Sequence, residues 1–437
     1  MSGRHVLLAV ITCVIASTLS AQSSADANSG LEFNFSSPGA RSLGLGGAFV
    51  GIADDATAVF INPAGLTQLL KTEVALEGRF FSYSNTFPRS GRGNGQPSDI
   101  GIDTTSSVTE GEDLARLGGL SFASVVIPRD RWSFALYRHE LANFRASAET
   151  EGIFFDRVTS NGTVRTGRFF PARGELRLRV VSFGGSVAYR LHDRVSIGLT
   201  AARQQTSLDS TTVQYAFTKD RIDLPASFDK PLQVQEQHSR ENNVILQGGV
   251  LVRVTDDLMF GASYQEANDF RVRVRTSETD TDAFSEEEGG FQVPAVYRAG
   301  LSYTYRHYTK VSLEVDRVLY SGLTRNFVAL DGEAPLYRAN DGTEVRLGIQ
   351  RLLVHDWIIS RIGQPLIVSI GAWRDPDHRI RYDDPTHPQS LRFHSGEDEY
   401  HVSVGTSLAV GQWYEAGIAY DFSRRQRTAS ASVVVRF

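Results

Sequence analysis

The chain has 437 residues, a formal charge of -5, 41% hydrophobic residues and one cysteine, Cys13. That balance excludes the strongly basic surface of a nucleic-acid binder, and a lone cysteine excludes a disulfide framework. The length would accommodate two or three soluble domains, yet no Pro/Ser-rich linker, composition shift or helical periodicity beyond residue 70 divides it, so the body reads as one unit.

At the N-terminus Arg4 and His5 precede the apolar run Val6 to Ala16, followed by small residues. This pattern predicts a secretory signal peptide, residues 1–21, cleaved after Ala21. The run is too short to cross a bilayer as a helix, and Cys13 lies inside it, which leaves too little signal core for a lipid-anchored cysteine. No second long apolar segment follows, so a transmembrane helix is not expected. Residues 22–70 form a glycine-rich leader that does not alternate like a strand. Gly44, Gly46, Gly47 and Gly51 allow sharp turns and close backbone approach, and Pro63 denies the segment a regular ladder.

From residue 71 onward the sequence breaks into two-residue alternation, the period of a strand whose faces meet different environments. Fourteen such segments are expected, near 72–84, 116–127, 131–145, 174–191, 193–207, 241–254, 257–275, 292–306, 308–320, 342–352, 364–374, 399–410, 412–422 and 428–437. In one of them Tyr297, Ala299, Leu301 and Tyr303 oppose Arg298, Gly300, Ser302 and Thr304. In another Phe270, Val272 and Val274 oppose Arg271, Arg273 and Arg275. Long connections (85–115, 146–173, 208–240, 276–291, 321–341, 375–398) alternate with very short ones, except that 353–363 is long for its class and 423–427 short. Long loops at one end and tight turns at the other describe an outer-membrane β-barrel, whose closure removes the edges that lipid cannot solvate. The fold class is therefore all-β: a transmembrane antiparallel barrel of about 14 strands, residues 71–437, with residues 22–70 as a hatch plugging its lumen. Aromatics near strand ends, among them Phe80, Tyr303, Tyr305, Tyr308, Trp413 and Tyr414, fit interfacial girdles. Phe437, with Val435, Val433 and Ala431 on its face, resembles the C-terminal signal read by the barrel-assembly machinery.

The leader "NFSSPGARSLGLGGAFVGIADDATAVFINPAGL" resembles the N-terminal hatch of the FadL/OmpP1/TodX family of outer-membrane transporters for long-chain fatty acids and other hydrophobic compounds. The likeness rests on Gly44 to Ala48, on Ala53 to Ala56 and on Asn62-Pro63-Ala64, with weaker likeness in "VPAVYRAGLSYTY" and "EYHVSVGTSLAVGQWYEAGIAYDFS". It implies fourteen strands, a monomer in the outer membrane, and transport of a hydrophobic small molecule. The implied route runs from external loops to an apolar pocket and sideways into outer-membrane lipid, at a kink in the third strand. A related role, accessory or docking subunit of a secretion system, is the alternative.

The resemblance implies gating by Asn62, Pro63 and Ala64. The third strand, "RWSFALYRHELANFR", loses its alternation around His139, Glu140 and Asn143, the candidate kink. Phe80, Phe81, Phe87, Phe154, Phe155, Phe169 and Phe170 in or beside long loops are candidates for first capture of an apolar ligand. Arg177, Arg179, Arg271, Arg273, Arg275 and Arg298 are expected to face the lumen and pair with Glu73, Glu77, Glu314, Asp316 and Glu344. No nucleophile, histidine and orienter share one outer face, no phosphate loop or dinucleotide fingerprint occurs, and His378, His387, His394 and His401 lack the spacing of a zinc site. No enzyme activity, cofactor, metal or nucleic-acid partner is expected.

Overall fold

The computed structural model describes residues 33, 35–218, 221–281, 283–325, 336–354 and 363–437. The expected signal peptide, the first part of the leader and most of the 353–363 connection lie outside these residues. Two short helices, α1 (Ala40–Gly44) and α2 (Ala58–Ile61), and a 3₁₀ turn (Pro63–Gln68) come first. The strands are β1 (Glu73–Gly91), β2 (Val108–Arg129), β3 (Trp132–Thr150), β4 (Phe154–Val158), β5 (Val164–Arg168), β6 (Ala172–His192), β7 (Val195–Tyr215), β8 (Pro231–Arg253), β9 (Leu258–Gln265), β10 (Asn268–Glu278), β11 (Phe284–Val293), β12 (Val296–Tyr305), β13 (Thr309–Val318), β14 (Tyr337–Arg338), β15 (Gly342–Leu353), β16 (Leu366–Asp375), β17 (Arg381–Tyr382), β18 (Glu399–Val410), β19 (Tyr414–Phe422) and β20 (Gln426–Arg436). β4/β5 and β14/β17 are small loop pairs. β9 and β10 together make one barrel strand, as do β11 and β12, so the wall is a closed antiparallel barrel of 14 strands. Pairing of β1 with β20, from Glu73–Arg436 to Tyr83–Gln426, closes the ring.

The wall is lopsided. β1–β3 and β6–β8 run 19–23 residues, roughly 60–75 Å of chain, whereas β12–β20 run at most 12 in the barrel. Several long connections are therefore shorter than the sequence suggests: 92–107 instead of 85–115, and β11 begins at Phe284 directly after β10 ends at Glu278, where 276–291 was expected as loop. The extra strand was illegible because the meaning of alternation reverses above the lipid belt. On β7 the outward residues are apolar at Ile197 and Leu199 but polar at Arg203, Gln205 and Asp209. On β6 and β10 the upper inward positions are Leu176, Leu178, Val180, Phe270, Val272 and Val274, all buried.

This corrects the expectation for the arginines. Arg177, Arg179, Arg271, Arg273 and Arg275 point outward, and only Arg298 is luminal and buried. Outside the barrel above lipid there is water, so charge belongs on that face and apolar side chains turn in. Lower down the order is the usual one: Tyr297, Leu301 and Tyr303 are exposed while Arg298, Gly300 and Ser302 are buried. Glu73, Glu77, Glu314, Asp316 and Glu344 are buried in the lumen. The aromatics Phe80, Tyr303, Tyr305, Tyr308, Trp413, Tyr414 and Phe437 are exposed on the outer side.

Residues 35–69 sit within the ring, nearly all buried. Their peptide groups are satisfied by inward side chains, as buried backbone requires. Glu314 accepts from the amides of Phe49 and Val50 (2.6 and 2.7 Å), and Glu73 from Ala56 N (3.0 Å). Ser263 and Ser133 donate to the carbonyls of Ile61 (2.7 Å) and Leu66 (2.9 Å). Asp54 joins Arg41 (2.6 Å) and Lys310 of β13 (2.5 Å).

Candidate functional site

Backbone touches backbone where the leader meets the wall. A Cβ at Gly371 would overlap Gly46 N, one at Gly261 would overlap Val50 O, Gly198, Gly348 and Gly405 also meet leader backbone, and Gly249 and Gly300 are crowded by the side chains of Asn62 and Val50. The leader glycines face this belt: Gly44 lies on Gly405, Gly46 on Ala372, Gly47 on Arg346 and Gly51 on Gly300. Gly46 (φ 65°) and Gly47 (φ 79°) also need the left-handed region. Asn62 caps the 3₁₀ turn by accepting from Ala64 N (3.2 Å), and its amide donates to Val50 O (3.1 Å) and to Val250 O of β8 (3.0 Å). Pro63 and Ala64 pack on Gly198. The motif is thus the joint that ties two turns of the leader to the wall.

Above this plug lies a cavity of ≈ 90 Å³ between the leader's front and β1, β3, β15, β16 and β20. A water needs about 10–15 Å³ by the same measure, so the space holds a handful of waters or one small apolar group. Seven aromatic rings line it, Phe33, Phe35, Phe81, Tyr83, Phe144, Tyr320 and Trp373, together with charged groups at Arg79, Glu140, Glu344, Arg346, Asp375 and Asp421. Tyr83 stacks on Phe144 with ring centres 5.2 Å apart. The cations at its floor are partnered. Arg79 binds Glu77 (3.0 Å), while Arg346 binds Asp316 (3.1 Å), Glu344 and Gly46 O and lies over the Trp373 ring.

Beside the cavity the wall changes. β2 pairs with β3 only from Arg129–Trp132 to Phe122–His139, and among the described residues no ladder pair joins them beyond that point. The register of β3 against β6 shifts between Glu140 and Ala142, which drives Leu141 inward. A bulge bends its strand and re-aims side chains, and the upper part of β3 leaves β2 to lean on β1. There the Tyr83 hydroxyl takes over for the missing ladder, donating to Arg145 O and accepting from Arg145 N (2.5 Å each). The result is a seam bounded below by Phe122–His139 and above by a bond from Ser147 N to Asp113 Oδ2 (2.9 Å). His139 is wholly buried at its base, 4.0 Å from the Phe60 ring of α2, and among the described residues its ring nitrogens have no hydrogen-bond partner. Glu140 and Asn143 sit in the seam, bonded to each other (3.1 Å), and line the cavity.

The seven phenylalanines do not form one site. Phe81 lines the cavity. Phe80 faces outward across Gly118, and Phe87 covers Gly111. Phe154, Phe155, Phe169 and Phe170 lie in a cap of external loops, where Phe155 meets Phe169 (4.7 Å) and Phe170 meets Phe217 (4.9 Å). Arg168 lies over the Phe154 ring and donates to the carbonyls of Ile222 and Leu224, and burial lowers its guanidinium to about 10, an effect Glu151 opposes. Arg92 forks onto Asp103 (2.7 and 3.0 Å) and reaches Asp156 (2.8 Å). Burial alone would raise the Asp103 carboxyl, but Arg92 and the Ser98 hydroxyl and amide hold it below its ordinary value. The sequence did not disclose Tyr83, Phe144, Tyr320 or Trp373, since nothing local marks inward aromatics that converge from distant strands.

Fold and site together define a transmembrane β-barrel closed by an internal hatch, with an aromatic cavity beside an unladdered seam in its wall. No protein-family model and no curated protein matches the chain. Solved structures do. It is similar to a Pseudomonas aeruginosa FadL homologue at 13% identity, with TM-score 0.60 over 93% of this chain and 98% of that one. It is similar also to the CymD monoaromatic hydrocarbon channel (14%, TM-score 0.56, 93% and 99%) and to the Pseudomonas putida toluene transporter TodX (13%, TM-score 0.55, 92% and 99%). At such identity these likenesses establish the fold.

Proposed function

We propose that the protein is an outer-membrane channel for hydrophobic small molecules. A ligand taken from the loop cap would enter the aromatic cavity and leave sideways through the β2/β3 seam into lipid. The carrying observation is the adjacency of cavity and seam above a leader that fills the lumen. The straight path to the periplasm is packed, while the lateral path crosses a stretch with no ladder hydrogen bonds to break. The fold shared with a hydrocarbon channel and a toluene transporter supports this reading. An apolar solute gains nothing from a watery pore, and lateral exit spares it a crossing through water. The closed cavity is too small for a long acyl chain, so a large ligand requires Phe33 and Phe35 at the front of the hatch to move. In this reading Asn62, Pro63 and Ala64 hold the hatch, Phe437 serves assembly, and the barrel works as a monomer.

The test is binding of a fluorescent long-chain fatty acid to the purified barrel in detergent, competed with unlabelled acid and with toluene, for the wild type and for Ala142→Trp aimed into the cavity. Saturable, competable binding that Ala142→Trp abolishes is expected. No binding of any apolar probe by a folded barrel overturns the proposal.

A further inference from the structure

The seam is crossed near its base by a chain of charge. Arg138 of β3 donates to the carbonyl of Leu120, the first outward residue of β2 beyond the ladder, and also to Glu140 (3.1 Å). The same Glu140 oxygen accepts two bonds from Arg179 of β6 (2.8 and 3.0 Å), and its other oxygen accepts from Asn143. One carboxylate therefore joins β6, the bulge of β3 and, through Arg138, the free edge of β2. It sits where the outer face passes from apolar to charged: Phe183 and Leu120 are exposed apolar neighbours, while Arg177 and Arg179 begin the charged surface. Facing it from behind are the cavity groups Leu141, Phe81, Phe144 and Arg79, the last already held by Glu77. Across the seam Gly119 has no atom within 4 Å of where a Cβ would stand, so side-chain packing does not hold this edge. At the level of Glu140 the seam is crossed by the bond from Arg138 to Leu120 O, and the Arg138 guanidinium is held in turn by Glu140.

We infer that Glu140 is the latch of the seam: anchored by Arg179, it holds the Arg138 guanidinium on the Leu120 carbonyl of β2, and opening the lateral path requires Arg138 to leave that carbonyl. The inference rests on the proposed lateral exit and adds what regulates it. Glu140 is a positioning residue that acts through the two arginines. Its side chain is 9% exposed and that of Arg179 57%, so the pair is partly screened by salt. Partly exposed pairs of this kind contribute modestly, and loss of two together corresponds to roughly a three- to tenfold change in opening.

The experiment places a single cysteine at Ala142, buried on the cavity side of the bulge, in full-length chain whose one other cysteine, Cys13, is replaced. In proteoliposomes the rate of labelling by a membrane-dissolved maleimide reads seam opening without requiring transport. Folding of each variant is checked by its heat-shifted mobility on a gel. Glu140→Gln, which loses both pairs, should label about three- to tenfold faster, and Arg179→Gln, which loses one, about two- to threefold faster, with Arg179→Lys near the parent rate. Raising NaCl from low to molar concentration should accelerate the parent and leave Glu140→Gln unchanged. Parent-like rates in folded Glu140→Gln and Arg179→Gln overturn the latch, as does equal salt acceleration in both backgrounds. Labelling that responds as expected in a barrel that binds no apolar ligand upholds the latch and refutes only the transport reading.

Discussion

Asn62 makes three hydrogen bonds with no exposed surface, and its truncation offers a quantitative test of how the hatch is held. Asn62→Ala leaves Ala64 N, Val50 O and Val250 O without those partners, at a place where the side chain packs against Gly249 and Gly261. At about 1 kcal/mol for each lost bond, the hatch should loosen by about 3 kcal/mol, roughly a hundredfold in its local opening equilibrium. The barrel should stay closed, because β1–β20 pairing and the remaining ladders are untouched, and the other anchors at Glu314, Glu73 and Ser263 keep the hatch mostly seated. Hydrogen exchange followed by mass spectrometry reads this directly: amides in residues 49–66 should exchange about a hundredfold faster and those of β12–β20 at the parent rate. Exchange of residues 49–66 within threefold of the parent would refute the claim that Asn62 joins hatch to wall.

The glycine belt predicts that Gly371→Ala, whose methyl would meet Gly46 N, displaces the hatch and makes residues 40–60 sensitive to protease, whereas Gly119→Ala, with open space, behaves as the parent. Resistance of folded Gly371→Ala to protease would contradict the close approach. In the loop cap Asp103 has a carboxyl pKa below its unfolded value, so its contribution is complete above about pH 4 and fades as pH falls through the lowered value. Proteolysis of the 92–107 connection should therefore rise on acidification, and Asp103→Asn should show that raised susceptibility already at neutral pH. A pH-independent loop in both proteins would remove Asp103 as its clasp.

Strand number was legible because alternation is a local consequence of a wall between two environments. Each of the fourteen expected segments overlaps a barrel strand, and the β3 register shift falls within the stretch "HELAN" where alternation fails. Direction was less legible. Arg271, Arg273 and Arg275 alternate with apolar residues just as a lipid-spanning strand does, and only height relative to the belt tells which face is inside. The candidate site was harder still. Tyr83 and Phe144 stack across 61 positions of sequence, and the cavity they line exists only because β3 leaves β2.

By itself the sequence determined a closed all-β wall of fourteen strands with a non-alternating, glycine-rich leader, because solvent contrast and backbone freedom are written residue by residue. Tertiary structure decided the rest: which glycines of the wall receive the leader, where β2 and β3 part, and that Glu140 meets Arg179. These depend on register between strands and on a single bulge, and a shift of one residue there exchanges inside for outside.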